Sequence, residues 1–179
     1  MAKSNYEICS DFVNQVKEHG HNLSTSFSNN RYYSYSTVVG QLFETKDNEQ
    51  IVLLSSNTMS ATTGKHLSDL RWACHQNGIK YIEVPCYWRD YSAPSIQDYA
   101  DRLKEDLLTY VNDQSLLRLK PNREDFITCY NTLLQLQELF RPKQVKVHIG
   151  KKIETVYNNL FNTDYIKSLK KKARVEKVA

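Results

Sequence analysis

"RYYSYSTVVGQLF", Arg31 to Phe43, decides the class of fold. β-branched and aromatic side chains dominate it, and it holds no acidic residue. Alternation puts Tyr33, Tyr35, Thr37 and Val39 on one face and Tyr32, Ser34, Ser36 and Val38 on the other, which is strand behaviour. "ETKDNEQ" then reads as a polar turn, and Ile51 to Leu54 as the second strand of an antiparallel hairpin. A helix is predicted from near Thr63 to a stop at Gly78, and "IKYIEVP" returns as a third strand closed by Pro85. The core unit is therefore β-β-α-β.

On the N-terminal side, Ser4 followed by Glu7 is a capping-box pattern, and Ile8, Phe12, Val13 and Val16 recur at helical spacing. A helix from Asn5 to about Glu18 is expected, stopped by Gly20. On the C-terminal side, Ser95 suits an N-cap for a helix bearing Ile96, Tyr99, Leu103 and Leu107 on one side. A second helix, Asn122 to Phe140, carries Phe126, Ile127, Tyr130, Leu133, Leu134 and Leu136. "KQVKVHIG" alternates Val145, Val147 and Ile149 with Lys146 and His148, which predicts a short, lysine-guarded edge strand open to either a monomer or a dimer. Helical spacing resumes with Ile153, Val156, Tyr157, Leu160 and Phe161, then with Tyr165, Ile166 and Leu169, before a mobile "KKKARVEKVA" end. The expected fold is α+β, a small antiparallel-containing sheet with an N-terminal helix and several C-terminal helices. Residues 1–140 form the domain and 141–179 a basic, mainly helical extension packed on it.

A chain of 179 residues suits one domain, since single cores split only beyond about 250 to 300 residues. No stretch approaches the roughly 18 apolar residues of a membrane span, and the polar start "MAKSNYEICSD" lacks a secretory apolar run. A soluble, cytoplasmic protein is expected. Cys9, Cys74, Cys86 and Cys129 are widely spaced with no C-x-x-C pair, so free thiols are expected rather than a disulfide framework or zinc knuckle. His19 and His21 offer two metal ligands, but no thiol or carboxylate cluster joins them, so neither metal nor cofactor is expected.

The net charge of +4 is uneven. Residues 141–179 carry 11 Lys or Arg against Glu154, Asp164 and Glu176, a net of +8 that leaves −4 on the first 140. Such asymmetry points to an anionic partner, with a solvated helix face as the plain alternative. "TTGKH", Thr62 to His66, resembles the end of a phosphate-binding loop, but Met59 stands where a Walker loop needs glycine and His66 where it needs Ser or Thr. What survives is a helix start with Lys65 beside free N–H groups, able to hold a phosphate, or simple N-capping by Thr62 or Thr63. On the same helix Leu67, Leu70 and Cys74 define the buried side, and Trp72 falls opposite, beside Lys65, Ser68, His75 and Gln76. Such a tryptophan either packs under another element or is exposed for a partner.

Tyrosines beside Arg31, Asn29 and Asn30 on an open sheet match the general recipe for stacking single-stranded RNA, although cross-strand tyrosine packing explains them equally. Conventional catalysis finds little support: there is no G-x-S-x-G or H-E-x-x-H, and Cys74 and His75 point apart on their helix. The acids Asp98, Asp101, Glu105 and Asp106 read as solvated helix surface. The candidate RNA contacts are Arg31, Tyr33, Tyr35, Lys65, Arg71, Trp72, His75, Lys170, Lys171 and Lys172; no catalytic residue is named.

The segment from Arg31 to Ala73 resembles a small domain of uncharacterised bacteriophage proteins, which share a tyrosine-rich strand, a second strand and a Thr-Thr-x-Lys-His helix start. In overall character and length, rich in Asn, Lys and Tyr with few Gly, the chain is also similar to the type III-A anti-CRISPR proteins of staphylococcal podophages. That resemblance implies a phage antidefence or host-takeover protein acting as a non-enzymatic inhibitor. Its implied partners are a host CRISPR effector complex of the Cas10–Csm kind and RNA, host-derived small RNA included. The alternatives are a protein-only interaction or phage structural module, and a small nuclease. The positive net charge disfavours a DNA mimic.

Overall fold

The computed structural model describes residues 3–56, 60–85 and 94–175, with side chains to residue 170. Met59, residues 86–93, the side chains of Lys171 and Lys172 and the end beyond Val175 lie outside the described residues. The chain divides into two compact units, Met1–Ser95 with Leu139–Arg141, and Ile96–Glu138 with Pro142–Ala179. This is a different partition from the charge boundary at residue 140.

The first unit is a sheet with helices, mixed α and β as expected, but with more strands. Helix α1 (Asn5–Val13) precedes β1 (His19–His21), β2 (Thr25–Ser28), β3 (Arg31–Ser34), β4 (Thr37–Glu44) and β5 (Gln50–Ser55). Helix α2 (Ala61–Gln76) and β6 (Lys80–Val84) complete it. The strands lie in sequence order, antiparallel from β1 to β5, with β6 parallel to β5 across the α2 connection.

The tyrosine segment is not one strand. Tyr35 adopts φ 55° and turns the chain, so β3 and β4 form a hairpin in which Tyr33 faces Val38. The single-face grouping of Tyr33, Tyr35, Thr37 and Val39 is thereby corrected: a bulge at Tyr32/Tyr33 and the Tyr35 turn reset the alternation. Tyr32 is fully buried against Phe12, at 5.5 Å between ring centroids.

Helix α1 is shorter than expected. Its capping box is present, Ser4 accepting from the Glu7 N–H and Glu7 accepting from the Ser4 N–H, but it ends at Val13, leaving Val16 exposed. Gly20 is not its stop. It lies in β1, where a Cβ would come within 2.3 Å of the Phe27 ring. Helix α2 is capped by Ser60, whose Oγ accepts from the Thr63 N–H at 3.1 Å, instead of by Thr62 or Thr63. Gly78 at φ 67° ends it as predicted, with the Ile79 N–H donating to the Cys74 carbonyl at 2.9 Å and the Gly78 N–H to that of His75 at 3.3 Å.

One face of the sheet packs Val39, Leu42, Val52 and Leu54 against Ile8, Phe12 and Val13 of α1 and Leu67, Leu70 and Cys74 of α2. Burial on that scale is the main stabilising contribution of the unit. The other face is also buried, at Val38, Gln41, Ile51, Leu53, Ile82 and Val84. Phe140 meets Phe43 edge-on at 6.2 Å, while the Lys46 N–H donates to the Leu139 carbonyl.

The second unit is helical. Helix α3 (Ile96–Asn112) buries Ile96, Tyr99, Leu103 and Leu107 as its spacing predicted. A 3-10 turn (Gln114–Arg118) leads to α4 (Lys120–Leu139), followed by α5 (Lys151–Asn159) and α6 (Thr163–Val175). The expected strand at Val145 to Ile149 does not form. The Lys146 N–H instead donates to Gln97 Oε1 at 2.7 Å and its carbonyl accepts from Gln97 Nε2 at 3.3 Å, so a side chain takes the place of a neighbouring strand.

Candidate functional site

Three of the predicted contact residues converge in the first unit. Arg71, Trp72 and His75 project from α2 into an open groove of about 630 Å³ whose other wall is Gly78 to Tyr81, the entry into β6. Trp72 is 55% exposed and Tyr81 40% exposed, and the His75 ring lies 5.8 Å from the Trp72 ring. Helix angle alone allows Trp72 to be packed or exposed; it is exposed. Tyr81 and Lys80 are absent from the sequence candidates. The signal for Tyr81 is its place in "KYIEV", out of phase with the buried Ile82 and Val84.

The groove's cations are partnered. Arg71 Nε donates to Glu83 Oε1 at 2.7 Å, and Lys80 Nζ to Glu49 Oε2 at 2.6 Å. Both pairs are substantially solvated, so each contributes at most about 1 kcal/mol and exchanges readily with another carboxylate.

The remaining candidates are dispersed. Lys65 is exposed in the first turn of α2, about 10 Å along the axis from Trp72 at 1.5 Å per residue. Arg31 and Tyr33 are half-buried on β3, opposite Gln41 and Val38. Tyr35 is 61% exposed at the hairpin turn, its ring 5.8 Å from that of His66. Lys170 is exposed on α6 of the second unit. The tyrosine segment thus divides among core, half-buried strand and turn, and does not present an open row of rings.

His66, which the sequence marks as the residue that breaks a Walker loop and as the last of the Thr-Thr-x-Lys-His helix start, sits in a buried hydroxyl cluster. Ser34 Oγ lies 2.8 Å from Nδ1 and Ser24 Oγ 3.2 Å from Nε2, while Thr63 Oγ1 lies 3.3 Å from Ser34 Oγ. Burial lowers the His66 pKa, opposed by Asp69 and assisted by Lys65. A serine beside a histidine suggests nucleophilic chemistry, but both ring nitrogens are occupied and His66 and Ser34 are at most 2% exposed, so the cluster joins α2 to the sheet. Among the described residues the thiols are likewise sequestered: burial pushes the pKa of Cys9, Cys74 and Cys129 up to about 12, far from the thiolate range of reactive cysteines.

Among the described residues no three His, Cys, Asp or Glu side chains gather as a metal site, and no helix is long and apolar enough to cross a membrane. No protein-family model, curated protein or solved structure matches the chain.

Proposed function

We propose that this protein acts by binding a macromolecular partner through the groove between α2 and β6, as a phage antidefence or host-takeover factor. One observation carries this reading: Trp72, the largest side chain on α2, stands exposed beside His75 and Tyr81 in an open groove. Half-exposed aromatics with an arginine beside them are the usual anchors of protein interfaces. The setting comes from the resemblance to type III-A anti-CRISPR proteins and makes the host effector complex the first partner to test. The burial of Cys9, Cys74 and Cys129 and the occupied ring nitrogens of His66 support binding over catalysis at those residues.

A second contact, with RNA, is favoured by the other unit. It carries 15 Lys or Arg against 11 Asp or Glu, whereas the first unit carries nine of each. Phe161 is 66% exposed there and edge-on to Tyr157 at 5.3 Å, a surface on which a base can stack.

The test is co-elution of purified Cas10–Csm complex with wild-type protein and with Trp72→Ala. The wild type is expected to co-elute and the variant to bind about ten-fold or more weakly. No co-elution, or equal binding by the two, overturns the assignment.

A further inference from the structure

β1 begins the strand order at the end opposite β6, and among the described residues no strand pairs with its outer side. The Asn22 N–H donates to the Thr25 carbonyl at 2.9 Å and the Asn29 N–H to the Glu18 carbonyl at 2.6 Å, while Gly20 stands opposite Phe27. In an antiparallel ladder such bonded positions alternate. Residues 18, 20 and 22 therefore serve β2, and His19 and His21 direct their backbone N–H and C=O groups outward. The side chains alternate as well. Position 20 faces the ring of buried Phe27, so His19 and His21 stand together on the other face, across from Ser28 and Ser26 of β2. Both histidines are exposed, and among the described residues neither ring has a hydrogen-bonding or ionic partner.

Two imidazoles on one face of a strand, with Cα atoms about 6.6 Å apart, can take one divalent transition-metal ion between them, and imidazole suits Zn²⁺, Ni²⁺ and Cu²⁺. One chain stops at two ligands, since among the described residues no third His, Cys, Asp or Glu gathers with them. Zinc takes three or four protein ligands. A second copy supplies the others from the same strand. A two-fold axis through Gly20 sets His19 of one copy opposite His21 of the other as a hydrogen-bonded pair, about 5.5 Å apart at Cα, with all four imidazoles on one face. The outward N–H and C=O groups of both residues then find partners. The same axis brings Val16 of one copy, 62% exposed, to the end of the ladder that holds the fully exposed Leu23 of the other.

We propose that β1 is half of a transition-metal site, in which His19 and His21 of two copies of this chain hold one ion of the Zn²⁺ class across a paired β1–β1 edge. Histidines supply the chelate, and edge pairing orients them. The site uses no residue of the groove between α2 and β6, so the two readings are tested separately.

The experiment titrates tag-free full-length protein, first stripped with a chelator and dialysed, with zinc sulfate at neutral pH. A chromophoric chelator reports metal uptake, sedimentation velocity reports mass, and amide NMR reports exchange. Uptake of one ion per two chains is expected, with a doubling of mass that EDTA reverses and slowed exchange at the His19 and His21 amides. His19→Gln and His21→Gln are surface changes whose folding is checked by circular dichroism, and each is expected to weaken uptake about ten-fold or more. No uptake, uptake unchanged in both variants, one ion per chain at monomer mass, a doubling that persists in EDTA, or unaltered His19 and His21 amides would each overturn the bridged site.

Discussion

Trp72 and His66 lie less than two turns apart on α2 and have opposite consequences when changed. Trp72 is exposed, so Trp72→Ala should alter stability by no more than about 0.5 kcal/mol while weakening partner capture, and a denaturant titration beside the binding assay separates the two. His66 is buried with a depressed pKa, so the unfolded chain takes up its proton first as pH falls. The stability this group contributes is present above its ordinary value of 6.5 and is lost as pH falls below it toward the lower folded value. His66→Gln should flatten the dependence of unfolding free energy on pH across that acid range, measured by urea titration at successive pH values. At this scale the sequence is informative where helical geometry applies: the side of α2 opposite Leu67 and Leu70 does carry Trp72 into solvent. It is uninformative about Tyr33 and Tyr35, because the fate of each depends on a turn whose residues do not advertise it. A tyrosine at positive φ is uncommon, and its cost is met by the surrounding hairpin.

The same physics separates the elements that are legible from those that are not. Helices α3 and α4 and strands β5 and β6 follow from apolar spacing, since one buried stripe or face per element is enough to locate them. The strands β1 and β2 are hidden because "HGH" has little strand propensity and their link is built by one side chain. Asn22 Oδ1 accepts from the N–H groups of Ser24 and Thr25, closing the turn without glycine or proline. The segment at 145–149 errs in the opposite direction, alternating like a strand while its Lys146 backbone is satisfied by Gln97. Gly20→Ala tests the β1–β2 pair: the new methyl would collide with Phe27, itself packed on Phe12, at a cost of about 1–3 kcal/mol by thermal or chemical unfolding. Ser4→Ala removes a capping box and should cost about 1 kcal/mol in the same assay.

For the molecule as a whole, charge balance and packing divide the chain differently, and the charges within the units suggest distinct tasks. A neutral first unit with an aromatic groove suits a protein partner, and a cationic second unit suits phosphate. Replacing Lys170, Lys171 and Lys172 together by Ala should lower the salt dependence of oligouridylate binding by about 0.7 in log–log slope for each phosphate no longer neutralised. An unchanged slope would remove those lysines from the interface. The buried thiols also have a temporal consequence. Cys9 and Cys74 share the first unit's core, and Cys129 lies inside the second. With Cys86 replaced by serine, a neutral-pH alkylating reagent can reach any of the three only when the surrounding core opens, so the alkylation rates act as internal clocks of native-state opening. Cys9 and Cys74 should be modified at one common rate, because α1 and α2 cannot part from the sheet without exposing both. Cys129 keeps separate time for the helical unit, giving the opening of each unit its own reporter.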